Sequence, residues 1–191
     1  MKKLKIIKYE HPLLRRKSRE LKDAGPRERE LISAMAHTMY AAPGCGLAAP
    51  QAGVLERLFV ADIDYDRDDP NSERRLRVFI NPEILWESDD DEPMKEGCLS
   101  IPGIEGEIFR PSRIRVRARD ENFEPFELEA EELLARVIMH ETDHLDGILF
   151  VDRMARLKRS LLTVKLGKLR RDTMYDLYTG REETNYPVLI A

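Results

Sequence analysis

The sequence predicts an α+β fold, with antiparallel strands packed around a central metal-binding helix and a further helix towards the C-terminus. Three observations carry that expectation. Short runs of period two occupy the middle of the chain, a helical period bearing two histidines four apart follows at 131–146, and a basic amphipathic stretch comes last. At 191 residues the chain fits one ordinary domain, so 1–191 reads as a single domain, with about 154–191 as its C-terminal helix and tail.

The elements follow in order. Over 26–41 the spacing predicts a helix: Pro26 suits the first turn, Leu31, Met35 and Met39 recur every four residues, and Pro43-Gly44 stops the pattern. The next stretch, from Gly44 to Gly53, has almost no bulky side chain and reads as a loop whose backbone lies close to a cleft. Strand character appears at 58–63, 76–80 and 114–119, the last turning at Asp120-Glu121-Asn122 into Phe126-Glu127-Leu128 as a hairpin. The polar segments 65–73 and 87–92 read as solvated loops. The helix at 131–146 ends at Gly147, and a second, about 154–178, sets Leu157, Leu161 and Val164 on one stripe among Lys and Arg.

Composition excludes several classes. No run approaches the roughly 18 apolar residues that span a bilayer, and Lys8, Glu10 and His11 interrupt the N-terminus before an export signal forms. A net charge of -4, from 32 basic and 36 acidic residues, gives no field for a phosphate backbone, so sequence-specific nucleic-acid binding is not expected. Cys45 and Cys98 are too few for a disulfide framework, which leaves the reducing cytoplasm as the expected compartment.

The chemistry concentrates in His140-Glu141-Thr142-Asp143-His144. Residues four apart on a helix face the same way, so two imidazoles there can grip one ion, while Glu141 leans over the open coordination position. Leu133, Val137, His140 and His144 follow at spacings of four, three and four, so the rings continue a stripe expected to face the core. Catalytic ions usually keep three protein ligands and a water, and Cys98, in the tight segment Glu96-Gly97-Cys98-Leu99-Ser100, is the best third candidate.

Gly44-Cys45-Gly46-Leu47-Ala48-Ala49-Pro50-Gln51, the Cys98 segment and the His140 segment together resemble the three ordered motifs of peptide deformylases. The likeness extends through 145–152 and 9–15, and so covers most of 4–165. It implies a divalent ion on Cys98, His140 and His144, ferrous iron foremost and zinc or another ion as substitute, with water as fourth ligand. It further implies Glu141 as general base and acid, and Gln51 with the backbone N–H of Leu99 as donors to the developing oxyanion. Gly44, Cys45, Gly46 and Gly97 are assigned to binding an extended peptide, and Leu133 and Val137 to the methionine pocket. The implied partners are formyl-methionyl nascent peptides and, through the basic C-terminal helix, the ribosome. Four departures stand out: Cys45 replaces a branched aliphatic residue, Glu132 stands where the family pattern often has Gly, Met139 replaces a frequent Gln, and Gly103-Ile104-Glu105 lacks the Arg that some members carry near there to meet the substrate backbone.

Two other readings compete. A zinc-dependent peptidase or other amidase would take its third ligand from Glu182 or Glu183, and a noncatalytic binding module would close a structural metal with four protein ligands.

Overall fold

The computed structural model describes residues 3–66, 68–69 and 71–179; Glu182, Glu183 and the rest of the tail lie outside them. Helix α1 (Pro26–Ala41) opens with Pro26 in its first turn, and the Glu28 carboxylate accepts from the Gly25 N–H at 2.9 Å. Strands β1 (Gly46–Ala48), β2 (Leu58–Ala61), β3 (Arg77–Glu87), β6 (Arg113–Arg119) and β7 (Pro125–Glu131) form one antiparallel sheet in the order β1-β2-β3-β6-β7. Strands β4 (Asp91–Cys98) and β5 (Ile101–Pro111) form a separate two-stranded sheet.

Helix α2 (Glu132–Leu145) lies in the core between these layers. On β2, Leu58 and Val60 pack with Leu31, Met35 and Met39 of α1, whereas Phe59 packs with Val137, Ile138 and Met139 of α2. Both faces of β2 are therefore buried, which is why it carries no polar alternation. On β6, Ile114, Val116 and Ala118 are buried towards α2, while Arg115 and Arg117 pair with Glu129 and Glu127 of β7 on the outside. Each such buried aliphatic or aromatic side chain stabilises by about 1.5–3 kcal/mol, enough together to seat a helix that also buries two imidazoles and two carboxylates. A third cluster joins Ile7, Tyr9 and Leu14 to Ile101, Ile104 and Ile108 of β5 and to Phe150 and Met154.

Several local expectations differ. The chain from Gly44 to Gly53 is not open loop: it contains β1 and a turn of 3-10 helix, Ala49–Ala52, both buried. Strands β4 and β5 escaped the sequence reading because Ile101, Ile104 and Ile108 are spaced like a helix. The slip in strand phase occurs at Gly103, whose φ is +70°. The segment 87–92 shrinks to a turn, since strand runs to Glu87 and resumes at Asp91. After the short α3 (Phe150–Arg153), the expected C-terminal helix begins only at Arg156, because Met154 is extended at ψ 144°, and it is interrupted at Leu162 into α4 (Arg156–Leu161) and α5 (Thr163–Thr179). Its stripe of Leu157, Leu161 and Val164 faces solvent, not the core. No helix among the described residues is long and apolar enough to cross a membrane.

Candidate metal centre

Helix α2 sets His140 and His144 one turn apart, with ring centroids 5.1 Å apart. The β4–β5 hairpin brings the third group: a register shift between Gly97 and Cys98, then the tight turn at Leu99-Ser100, end β4 on Cys98. The Cys98 sulfur and one ring nitrogen from each histidine all lie within 4.8 Å of one another, with Cys98 Sγ 3.2 Å from His144 Nε2.

A buried ionic network orients this trio. Glu96 Oε2 lies 2.9 Å from His140 Nδ1. A carboxylate only accepts, so Nδ1 carries the proton and Nε2 is left for an ion. Glu96 also accepts from Arg110 Nε at 2.7 Å and Arg136 Nη1 at 3.1 Å, and Arg110 reaches Asp143 at 2.8 Å, where Arg153 also pairs. Burial raises the Glu96 carboxyl, but His140 and Arg110 outweigh it and hold the group far below the usual carboxylate range. The N-terminal segment braces the opposite side. The Ile7 N–H donates to the Gln51 carbonyl at 2.9 Å, the Tyr9 N–H to the Ser100 carbonyl at 2.8 Å, and Lys8 Nζ to the Leu99 carbonyl at 2.8 Å.

Gln51 is 1% exposed, and its Oε1 accepts from the Ala48 N–H at 2.8 Å. That bond orients the amide, so Nε2 donates, 3.4 Å from Cys98 Sγ and 3.3 Å from Ser100 Oγ. Glu141 packs so closely on β1 that a Cβ added to Gly46 would stand 2.8 Å from its Cδ. Its Oε2 is buried without a hydrogen-bond partner among the described residues, as is His144 Nδ1. Burial raises the Glu141 carboxyl above its ordinary value despite the opposing imidazoles. For Cys98 the balance is reversed: burial raises the thiol, but His144 and His140 hold it well below its ordinary value, as a thiolate.

Above the trio opens a cleft of about 600 Å³, lined by Gly44, Cys45, Gly46, Gln51, Gly97, Cys98, Leu99, Leu133, Val137, His140 and Glu141. The structure thus gathers the residues that the three motifs and the helical stripe nominated, His144 lying beneath at 1% exposure, while Glu182 and Glu183 of the competing reading lie outside the described residues. Leu133 departs from its stripe: at 42% exposure it stands at the lip in the first turn of α2, while Val137 is buried. Cys45 is also exposed at the lip, and its sulfur lies outside the donor set. Glu96, Arg110, Arg136 and Asp143 were missed as a network. Arg136 had a legible signal, standing four residues before His140 on the same helix face.

The donor set fits a divalent ion. It offers one thiolate and two imidazoles, a buried unpaired carboxylate oxygen beside them, and a cleft above, leaving room for ligands beyond the three from the protein. Such an open site belongs to a metal-dependent hydrolase rather than to a structural metal. Comparison with known proteins agrees. The polypeptide deformylase family matches residues 3–160. Peptide deformylase 1 of Burkholderia multivorans is 47% identical over 168 residues, 88% of this chain and 90% of its own. The peptide deformylase of Salinibacter ruber is 42% identical, covering 97% of this chain and 94% of its own. A crystal structure of Arabidopsis thaliana peptide deformylase 1B with an inhibitor superposes with a TM-score of 0.83 at 35% identity, over 97% of this chain and 98% of that one. The chain belongs to the polypeptide deformylase family: it is a metal-dependent hydrolase that removes the N-terminal formyl group from nascent peptides.

Proposed function

We propose that Cys98, His140 and His144 hold ferrous iron, which zinc can replace, and that the surrounding residues divide the formamide hydrolysis among them. The observation that carries this is the convergence of those three donors with Glu141 beneath one cleft. When bound, the ion supplies Lewis-acid polarisation and an acidified water. Glu141, its carboxyl raised by burial, takes the proton from the attacking water and delivers it to the leaving amine, releasing formate. Gln51 Nε2 and the Leu99 N–H meet the charge that develops on the formyl oxygen; the bond from the Ala48 N–H fixes the Gln51 amide before reaction begins.

The peptide lies as an added strand in the cleft between two open sheet edges, with Gly44, Cys45 and Gly46 leading into β1 and Gly97 on β4. Glycine suits this approach, since a Cβ on Gly44 would stand 2.7 Å from Leu99 Cδ1. Leu133 and Val137 receive the methionine side chain. Residues 1–191 act as one catalytic domain in the cytoplasm, and the basic residues Lys158, Arg159, Lys165, Lys168, Arg170 and Arg171 along α4 and α5 support contact with the ribosome near the emerging chain.

The test is formate release from a formyl-Met peptide by anaerobically purified protein, with metal analysis and a Glu141→Gln control. Rapid release by the wild type, one iron per chain and an inactive variant that keeps its metal are expected. Full turnover by Glu141→Gln would remove Glu141 from the proton path.

A further inference from the structure

We propose that Glu105 selects substrates carrying a lysine or arginine shortly after the formyl-methionine, by reaching over Gly97 to the basic side chain. The inference rests on the reading of the peptide as a strand added to β4. Among the described residues β4 pairs only with β5, so its other edge is open to such a strand. The peptide and β5 would then flank β4, roughly 10 Å apart, or two inter-strand spacings. At that separation a side chain on the middle strand normally stands between its outer neighbours.

Gly97 supplies no such obstacle. It is the direct cross-strand partner of Glu105, and Glu105 Cγ lies 3.6 Å from where a Gly97 Cβ would be, so the Glu105 side chain leans over the middle strand. Both residues line the cleft. The neighbouring acids are occupied: Glu96 is buried against Arg110, and Glu107 pairs with Lys158. Glu105 is exposed and forms no hydrogen bond or ion pair with the described residues. Lys95, on the same face two residues from Gly97, forms no ion pair with it either. A long basic side chain on the peptide strand therefore meets an unclaimed carboxylate across a gap that only a glycine leaves open. Lys95 confines the effect to the peptide position opposite Gly97, since a basic residue two places along meets a like charge.

The experiment compares kcat/KM of the iron-loaded enzyme at low salt for formyl-Met tetrapeptides with Lys, Gln or Glu at each position after methionine. An exposed pair of this kind corresponds to a factor of about two to five, so Lys is expected to exceed Glu by about that factor at one position. In Glu105→Gln the ratio should collapse towards one; in Glu105→Arg it should invert; and raised salt should shrink it in the wild type. Equal rates for Lys and Glu at every position in the wild type, or a preference that survives Glu105→Gln, would overturn the proposal. Turnover of the Gln peptides by the wild type reports on deformylation itself, so failure of the selection and failure of the catalytic reading are separately visible.

Discussion

Glu96 Oε2 lies 2.9 Å from His140 Nδ1, so a carboxylate two residues before the thiolate ligand orients an imidazole 44 positions further along. Partners of this type typically change metal affinity by about 10–100-fold when removed. Glu96→Gln keeps an acceptor but loses the charge that binds Arg110 and polarises the ring. It should release its metal to a chelator at correspondingly lower concentration, as a competition titration would read. An unchanged affinity would mean that packing alone orients His140.

The same carboxylate gives a signed pH dependence. Its folded value is depressed below the ordinary glutamate value of about 4.3, so the stability it contributes is complete above that pH and is lost as pH falls towards the folded value. Urea midpoints measured from pH 6 to pH 3 should fall more steeply for the wild type than for Glu96→Gln. Parallel curves would contradict this.

Arg110 links Glu96 to Asp143 inside the protein, at 2.7 and 2.8 Å. Arg110→Met leaves two buried carboxylates short of a partner, a change that costs about 3–5 kcal/mol. A melting temperature lowered by about 10 °C or more is expected in calorimetry, whereas a shift under about 2 °C would show that Arg136 and Arg153 compensate.

Gly46 is needed for its missing side chain. An added methyl would sit 2.8 Å from Glu141 Cδ, and α2 cannot retreat from a packed core. Gly46→Ala should cut kcat about 100-fold by displacing Glu141, the base proposed above, with metal content retained. Loss of metal in step with activity would point to general collapse of the site.

Glu132 begins α2 at φ +50°, directly after β7, a conformation that strains any residue with a Cβ. Glu132→Gly removes that strain, of about 1–2 kcal/mol, at the expense of about 0.4–1 kcal/mol in unfolded-chain entropy. A melting temperature raised by about 2 °C is expected. A fall would show that the side chain stabilises the turn.

The sequence alone was informative wherever the signal is local. The four-residue spacing of His140 and His144 needs only helical geometry, and so do the stripe through α1 and the Gly147 stop, where φ is +75° and an added Cβ would lie 2.7 Å from the Arg15 carbonyl oxygen. The alternation in β6 needs only the pleat of a strand. The nomination of Cys98 and Gln51 came from their segments as motifs, since neither neighbourhood carries a period.

Tertiary structure decided what depends on distant parts of the chain meeting. Nothing in the spacing of Glu96, Arg110, Arg136 and Asp143 joins them until β4, β5 and α2 bring them together as buried charges, where each needs the others. The β4–β5 hairpin was hidden because Gly103 shifts its phase, and the exposure of Leu157, Leu161 and Val164 followed from breaks in the C-terminal helix that no periodicity announced. Spacing along the chain specifies which side chains share a face. Only the packed core specifies what that face meets, because burial and pairing are set by neighbours far away in sequence.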